Sequence, residues 1–360
     1  MINARTTILN FETRISEKEK PQKKVTNSSR IHMKKPPIHL DRLTFLLVLY
    51  CLTIGFHSCV EKNYESEKTK LFKEKLSDLS ESADNKYFKI HLKSMLQVIN
   101  AEKSFSQKDN EILEKLYDVF LNDSLANPSN FDSYLNRKRM MILAWVSPTD
   151  NAVSFSWLRL PKDWDAEKEY PLYVNLHGLW DVADEPINYM SFTFIENPLT
   201  STPFEDGFSL TPWARGNQWY HGISKIDMWE SIAELEKIAK VDPKRKYLNG
   251  FSMGGYGTWH IAQESANTWA AIGIHSGALG YNGSKYITPE YAEKLKNTPT
   301  YFVWGDKEDD LLIKGNIKAH KLLEKAGNPN LKIAIFKGGH DYNQIDLENM
   351  YNWMRTFKKE

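Results

Sequence analysis

Hydrophobic and polar positions along the chain fall into three regimes. The first is a hydrophobic stretch, Leu43 to Phe56, preceded by Lys34, Lys35 and Arg42. The second extends from about Glu61 to Leu135, where apolar residues recur at helical intervals in a polar background. Leu92, Met95, Leu96 and Ile99 form one face, and Ile112, Leu113, Leu116, Val119 and Phe120 another, with Ser106 as the expected N-cap of the second helix. The third regime begins at Met140. Met141–Val146 and Val153–Leu160 read as two strands joined through the turn residues Pro148-Thr149-Asp150-Asn151. Tyr170–Leu176, Lys246–Leu248, Ala270–His275, Thr300–Trp304 and Ile333–Phe336 are further runs of strand length. Helical patterns alternate with them. One places Met228, Ile232, Leu235 and Ala239 on a face behind a capping box of Asp227 and Glu230; the last buries Met350, Trp353, Met354 and Phe357. Strands alternating with helices predict an α/β fold with a mostly parallel sheet covered on both faces.

Composition narrows the classes. The net charge is +1 and basic residues form no stripe, so nothing electrostatic points to nucleic acid. Both cysteines, Cys51 and Cys59, lie in or just after the first apolar run, which removes disulfide, zinc–thiolate and thiol-nucleophile chemistry from the rest of the chain. That run is too short for a comfortable membrane span and has the basic flank of a secretory signal. Its end, Phe56-His57-Ser58-Cys59, resembles the lipobox of bacterial lipoproteins, which makes Cys59 the expected lipidation site. Met33, followed by two lysines, is an alternative start. The expected organisation is residues 1–59 as leader, signal peptide and lipobox; 60–136 as a helical region or spacer; and 137–360 as the catalytic domain. The expected location is exported: lipid-anchored at a bacterial membrane or cell surface, or periplasmic.

The chemistry concentrates in the third regime. Gly250-Phe251-Ser252-Met253-Gly254 sets a serine between glycines, with a strand before it and a helical segment, Tyr256 to Gln263, after it. A serine hydroxyl needs a neighbouring base, and the oxyanion it generates needs preorganised donors. A carboxylate should follow in chain order at the end of a later strand, and Trp304-Gly305 is succeeded by Asp306, Glu308, Asp309 and Asp310. Asp309 is favoured by its spacing in the turn, with Glu308 as the alternative acid. The base should come last, and Gly338-Gly339-His340-Asp341 supplies His340. The oxyanion donors expected in this arrangement are the backbone N–H groups of Met253 and Leu179, the latter in His177-Gly178-Leu179-Trp180. His177 itself reads as structural. No metal or organic cofactor is required by this chemistry. Between Trp180 and Tyr220 the aromatics Tyr189, Phe192, Phe194, Trp213, Trp219 and Tyr220 suggest part of a substrate cleft, and Arg215 reads as a salt-bridge partner or a ligand for an acidic group.

Tyr170-Pro171-Leu172 leading to His177-Gly178, Asp242-Pro243-Lys244-Arg245 before Tyr247 to Trp259, and Gly338-Gly339-His340-Asp341 together resemble the α/β-hydrolase superfamily. Within it they are similar to the esterase D, feruloyl-esterase and prolyl-oligopeptidase-like group, over about Met140 to Lys359. The resemblance implies a serine hydrolase acting through an acyl-enzyme on small-molecule or carbohydrate esters, such as acetyl or feruloyl esters of polysaccharides. Serine peptidase activity on short peptides is the alternative, and a non-catalytic binding protein on the same fold a third reading. The sequence departs from that group in three places. It has no β-propeller, its oxyanion segment is not glycine-rich, and Leu312-Ile313 stands where Val-Pro usually follows the acid.

Overall fold

In the computed structural model, residues 64–122, 139–195, 205–281, 284–341 and 344–360 are described. The leader, Cys51, Cys59 and the stretch 123–138 of the expected helical region lie outside them. Three helices open the described chain, each begun by a polar cap. Ser66 accepts from the Thr69 N–H at the start of α1 (Glu67–Ser82), and Asn85 accepts from Tyr87 and Phe88 at the start of α2 (Lys86–Ala101). Before α3 (Gln107–Asn122), Ser106 Oγ accepts from Asp109 N at 3.1 Å and Asp109 Oδ2 accepts from Ser106 N at 2.9 Å, a reciprocal capping box on the expected serine. Leu92, Met95 and Ile99 of α2 and Leu113, Leu116 and Phe120 of α3 are buried, as their spacing predicts.

The strands form one eight-stranded sheet. β1 (Met140–Val146) and β2 (Val153–Arg159) are the expected hairpin, followed by β3 (Tyr170–Leu176). After α4 (Pro186–Ile195) comes β4 (Phe208–Pro212), a strand that the sequence pattern did not announce. It is short, ends in proline and lies within the stretch read as cleft. The remaining elements alternate: α5 (Ile223–Ile238), β5 (Val241–Phe251), α6 (Met253–Glu264), β6 (Ala271–His275), α7 (Pro289–Lys294), β7 (Thr300–Gly305), α8 (Asp310–Lys325), β8 (Leu331–Phe336) and α9 (Gln344–Met354). The strand order is β1-β2-β4-β3-β5-β6-β7-β8; β2 is antiparallel to β1 and β4, and every pairing from β4 to β8 is parallel. This is an α/β-hydrolase fold.

Alternation along β7 shows how both faces are covered. Tyr301 and Val303 pack with Tyr173, Tyr247, Met350, Tyr351 and Met354 beneath α9, whereas Phe302 points the other way, toward Trp259 of α6 and His320 of α8. Trp353 and Phe357 are partly buried against the same α9 cluster. α5 begins earlier than predicted. Asp227 does not cap it; its carboxylate is buried and bonded to Ser154 and Arg215, and Gly222 occupies the cap. At the sheet's outer edge, α2 lies along β1: His91 Nδ1 accepts from Ile142 N and Ser94 Oγ from Ala144 N, each at 3.0 Å. Burial holds the His91 pKa down to about 3, consistent with a neutral ring accepting through Nδ1.

Candidate active site

β5 delivers Ser252 at the C-terminal end of the sheet, where the chain turns sharply into α6. Ser252 sits at φ 55°, ψ −113°, a left-handed conformation that a non-glycine residue adopts only when its surroundings impose it. They do so by close packing. A Cβ on Gly250 would overlap the backbone of Gly254, and one on Gly254 would overlap the Leu176 carbonyl, so both positions admit only glycine. Ser252 N donates to His275 O at 3.0 Å, and Ala278 N donates to Ser252 O at 3.1 Å, tying the turn to the end of β6.

His340 reaches the serine from the loop after β8. Its Nε2 lies 2.8 Å from Ser252 Oγ and its Nδ1 3.1 Å from Glu308 Oε2. The loops bearing Glu308 and His340 are fastened to each other: Lys307 N donates to Gly338 O at 2.8 Å, and Gly338 N to Asp306 Oδ1 at 3.1 Å. The Glu308 side chain is fully buried, and its Oε1 accepts from Gly305 N at 3.1 Å and from Ser276 Oγ. A carboxylate so fixed accepts from Nδ1–H and leaves the Nε2 lone pair facing the serine hydroxyl. The carboxylate that faces His340 is therefore Glu308, the alternative of the sequence reading, and not Asp309. Asp309 is exposed and caps α8, accepting from Leu311 N at 2.8 Å. Its short side chain is committed to the helix, one residue beyond the position that faces inward.

The segment His177–Trp180 passes beside the elbow. A Cβ on Gly178 would lie 3.3 Å from Ser252 Cβ, so glycine permits the approach. Met253 is the first residue of α6, where backbone N–H groups have no acceptor within the helix. His177 is fixed rather than free: Nδ1 lies 2.8 Å from Gly178 O, Nε2 3.0 Å from Trp213 O, and burial holds its pKa below the ordinary value against those two carbonyls. Arg215 is an ion-pair residue, with Nε 2.5 Å from Asp227 Oδ2 and Nη1 3.1 Å from Asp150 Oδ2.

Three residues near the serine carried no signal in the sequence. Ser276 binds Glu308; Phe251 places its ring 5.0 Å from that of His340; and His275 lies edge-on to Phe251. Burial, and secondarily the charge of His340, hold the His275 pKa down to about 3.

Next to the elbow, a cavity of about 250 Å³ opens between the His177–Trp180 segment, α4 and α9. Trp157, Trp180, Phe192, Phe251 and Leu347 give it apolar walls, and Asn175, Asn249, Thr211 and Tyr351 add polar atoms. Of the aromatics expected in a cleft, Phe192 lines this cavity. Tyr189 and Tyr220 are core residues, Trp213 stacks on Phe155, Trp219 packs edge-on against Tyr256, and the Phe194 side chain lies outside the described residues. Among the described residues, no group of three or more His, Cys, Asp or Glu side chains could hold a metal ion, and no helix is long and apolar enough to cross a membrane.

No protein-family model matches the chain. It is 32% identical over 151 residues to a bifunctional acetylxylan esterase/xylanase of Neocallimastix patriciarum, a match covering 39% of this chain and 20% of that protein. It is 24% identical over 165 residues to a probable carboxylesterase of Arabidopsis thaliana, covering 46% of this chain and 57% of the relative. With a dipeptidyl-peptidase 5 of Porphyromonas gingivalis the identity is 25% over 159 residues, covering 41% and 22%. The chain thus spans between a fifth and just over half of these relatives' lengths. An α/β-hydrolase fold that carries a serine, a histidine and a buried glutamate in hydrogen-bonding line is accordingly similar in sequence to two esterases and one peptidase.

Proposed function

We propose that the chain is a serine hydrolase that cleaves carboxylic esters through an acyl-enzyme, with Ser252 as nucleophile, His340 as general base and Glu308 as the acid that orients it. The observation that carries this reading is the continuous line Ser252 Oγ, His340 Nε2, His340 Nδ1, Glu308 Oε2, with steps of 2.8 and 3.1 Å. As Oγ bonds to the ester carbonyl carbon, its proton passes to Nε2 and the carbonyl π pair moves onto oxygen. The Met253 and Leu179 N–H groups receive that oxyanion, each such donor contributing about 3 kcal/mol to the transition state. Collapse of the adduct breaks the C–O bond, and His340 returns the proton to the departing alcohol. A water, deprotonated by His340 in turn, releases the acid and restores the Ser252 hydroxyl. Nothing in these steps requires a metal or cofactor.

The substrate reading is an acetyl or feruloyl ester of a polysaccharide. The acetylxylan esterase relative supports the carbohydrate side, and the aromatic cavity bordered by Gly250 and Phe251 of the elbow supports the bulkier acyl group, since an acetyl would leave most of about 250 Å³ unfilled. Lipidation at Cys59 and export are the readings that the leader pattern supports, giving membrane contact through the anchor alone.

The test compares the purified protein with Ser252→Ala on short-chain nitrophenyl esters, acetylated and feruloylated xylan, and aminoacyl anilides. Ester turnover that disappears in Ser252→Ala is expected. No turnover by either protein on any substrate would refute the enzyme reading. Cleavage of anilides without esters would replace the esterase by a peptidase.

A further inference from the structure

We infer that Asn217 is a positioning residue that sets the oxyanion-binding N–H of Leu179, by clamping the backbone on the far side of that residue. The inference rests on the ester-hydrolase reading and assigns to the loop between β4 and α5 a part in it. Two peptide planes flank the Leu179 Cα; the loop grips the second directly and meets the first through His177, whose one ring N–H in the neutral form that burial favours goes to one of its two facing carbonyls. The plane that contains the Leu179 N–H also contains the Gly178 carbonyl, which His177 Nδ1 approaches at 2.8 Å. His177 is fixed in turn by the loop: its Nε2 lies 3.0 Å from Trp213 O, and its own carbonyl accepts from Tyr220 Oη at 3.2 Å. The following plane contains the Trp180 N–H, which donates to Asn217 Oδ1 at 3.0 Å, while Asn217 Nδ2 donates to Trp180 O at 2.9 Å. One side-chain amide therefore grips both backbone groups of Trp180, as a neighbouring strand would.

The clamp is itself anchored. Asn217 N donates to Asp184 Oδ1 at 2.8 Å and Asn217 Nδ2 to Asp184 Oδ2 at 2.7 Å, while Trp213 Nε1 donates to Ala183 O at 2.7 Å. Gly216, at φ +79°, lies so close to Ala183 and Asp184 that a Cβ would overlap them. Ala214, Arg215, Trp219 and Tyr220 also adopt positive φ, a cost that the chain bears only where surrounding contacts over-determine the backbone. Here the contacts are the Arg215 ion pairs to Asp227 and Asp150. A loop held in this conformation and directed at the residues either side of Leu179 suits a donor that must be in place before charge develops. An N–H so placed binds the tetrahedral oxyanion more strongly than the planar ester, so its misplacement shows in kcat and not in KM.

The experiment measures nitrophenyl-ester kinetics, affinity for an arylboronic acid that forms a tetrahedral adduct on Ser252, and amide hydrogen exchange across 177–181. The proteins are the full chain, Asn217→Ala, the exposed-neighbour control Gln218→Ala, and Ser252→Ala. Asn217→Ala is expected to lower kcat roughly 10- to 100-fold, as small misplacements of catalytic groups do, with KM within about twofold. Boronate affinity should fall by a similar factor, and exchange at 177–181 should accelerate; Gln218→Ala should match the parent in all three. Unchanged kcat, a loss confined to KM, or boronate affinity equal to the parent's would overturn the inference. Absence of Ser252-dependent turnover in the parent would refute the functional reading alone. The clamp would still be judged by exchange, and unaltered protection in Asn217→Ala would overturn it.

Discussion

Replacing Glu308 by glutamine tests the proposed relay at the point where the structure and the sequence reading part. Glutamine has the length and shape of glutamate, so Oε1 can keep the hydrogen bonds from Gly305 N and Ser276 Oγ. The amide nitrogen then faces His340 Nδ1, where the carboxylate oxygen stood at 3.1 Å. Two donors cannot face each other, so Nδ1 becomes an acceptor and the ring proton moves to Nε2. That proton then points at Ser252 Oγ, 2.8 Å away, and the imidazole can no longer take the serine's own. An amide behind a catalytic imidazole costs roughly 10⁴ in kcat, about 5 kcal/mol in the barrier. Asp309→Asn should stay within about threefold of the parent, because asparagine and aspartate cap helices about equally well and Leu311 N keeps its acceptor. The assay is kcat and KM on a short-chain nitrophenyl ester, with thermal unfolding to verify that both variants fold. Glu308→Gln within tenfold of the parent, or Asp309→Asn slower than Glu308→Gln, would refute the reasoning.

Three further outcomes are expected. Arg215→Ala strands the fully buried Asp227 carboxylate, whose pKa burial already raises; it should destabilise the protein by about 3 kcal/mol in urea unfolding, and a loss under 1 kcal/mol would refute the anchoring role. His91, held down to about 3 by burial, stays neutral in the folded chain while the unfolded chain takes up its proton below about 6.5. Its contribution is therefore complete above pH 6.5 and is lost as the pH falls toward 3. Between pH 7 and 5, His91→Gln should lose about 2 kcal/mol less stability than the parent in urea unfolding, and equal losses would count against it. Trp180→Ala removes an apolar wall of the cavity and should lower kcat/KM on a feruloyl ester about tenfold more than on the acetyl ester of the same alcohol; equal losses on both would place the acyl group elsewhere.

What could be read from the sequence was local. The elbow was legible because its cause is short-range: Gly250 and Gly254 are required within a few residues of Ser252, and a strand and a helix must flank them. Ser106 as the cap of α3, and most of the buried faces of α2 and α3, follow from spacing alone. The choice between Glu308 and Asp309 was not legible, because it turns on which neighbour faces inward from a turn stapled to the Gly338 backbone. The start of α5 was misread for a related reason. Asp227 followed by Glu230 has the spacing of a cap, but Arg215 on another segment draws Asp227 into the interior. β4 escaped notice because five residues ending in proline have too short a period to register. Asn217 gave no signal at all: an asparagine after Arg-Gly reads as a turn residue until Trp180 is brought beside it.

The contact of α2 with β1 bears on how the chain behaves when shortened. β1 closes the sheet on one side, and the outward N–H groups of Ile142 and Ala144 would be open to any passing strand were His91 and Ser94 not bonded to them. Exposed strand edges of this kind template intermolecular pairing. The helices before β1 therefore shield this edge from strand pairing, whatever else they do. A version beginning at Arg139 would retain every residue of the Ser252–His340–Glu308 line and still be expected to associate through its bared edge.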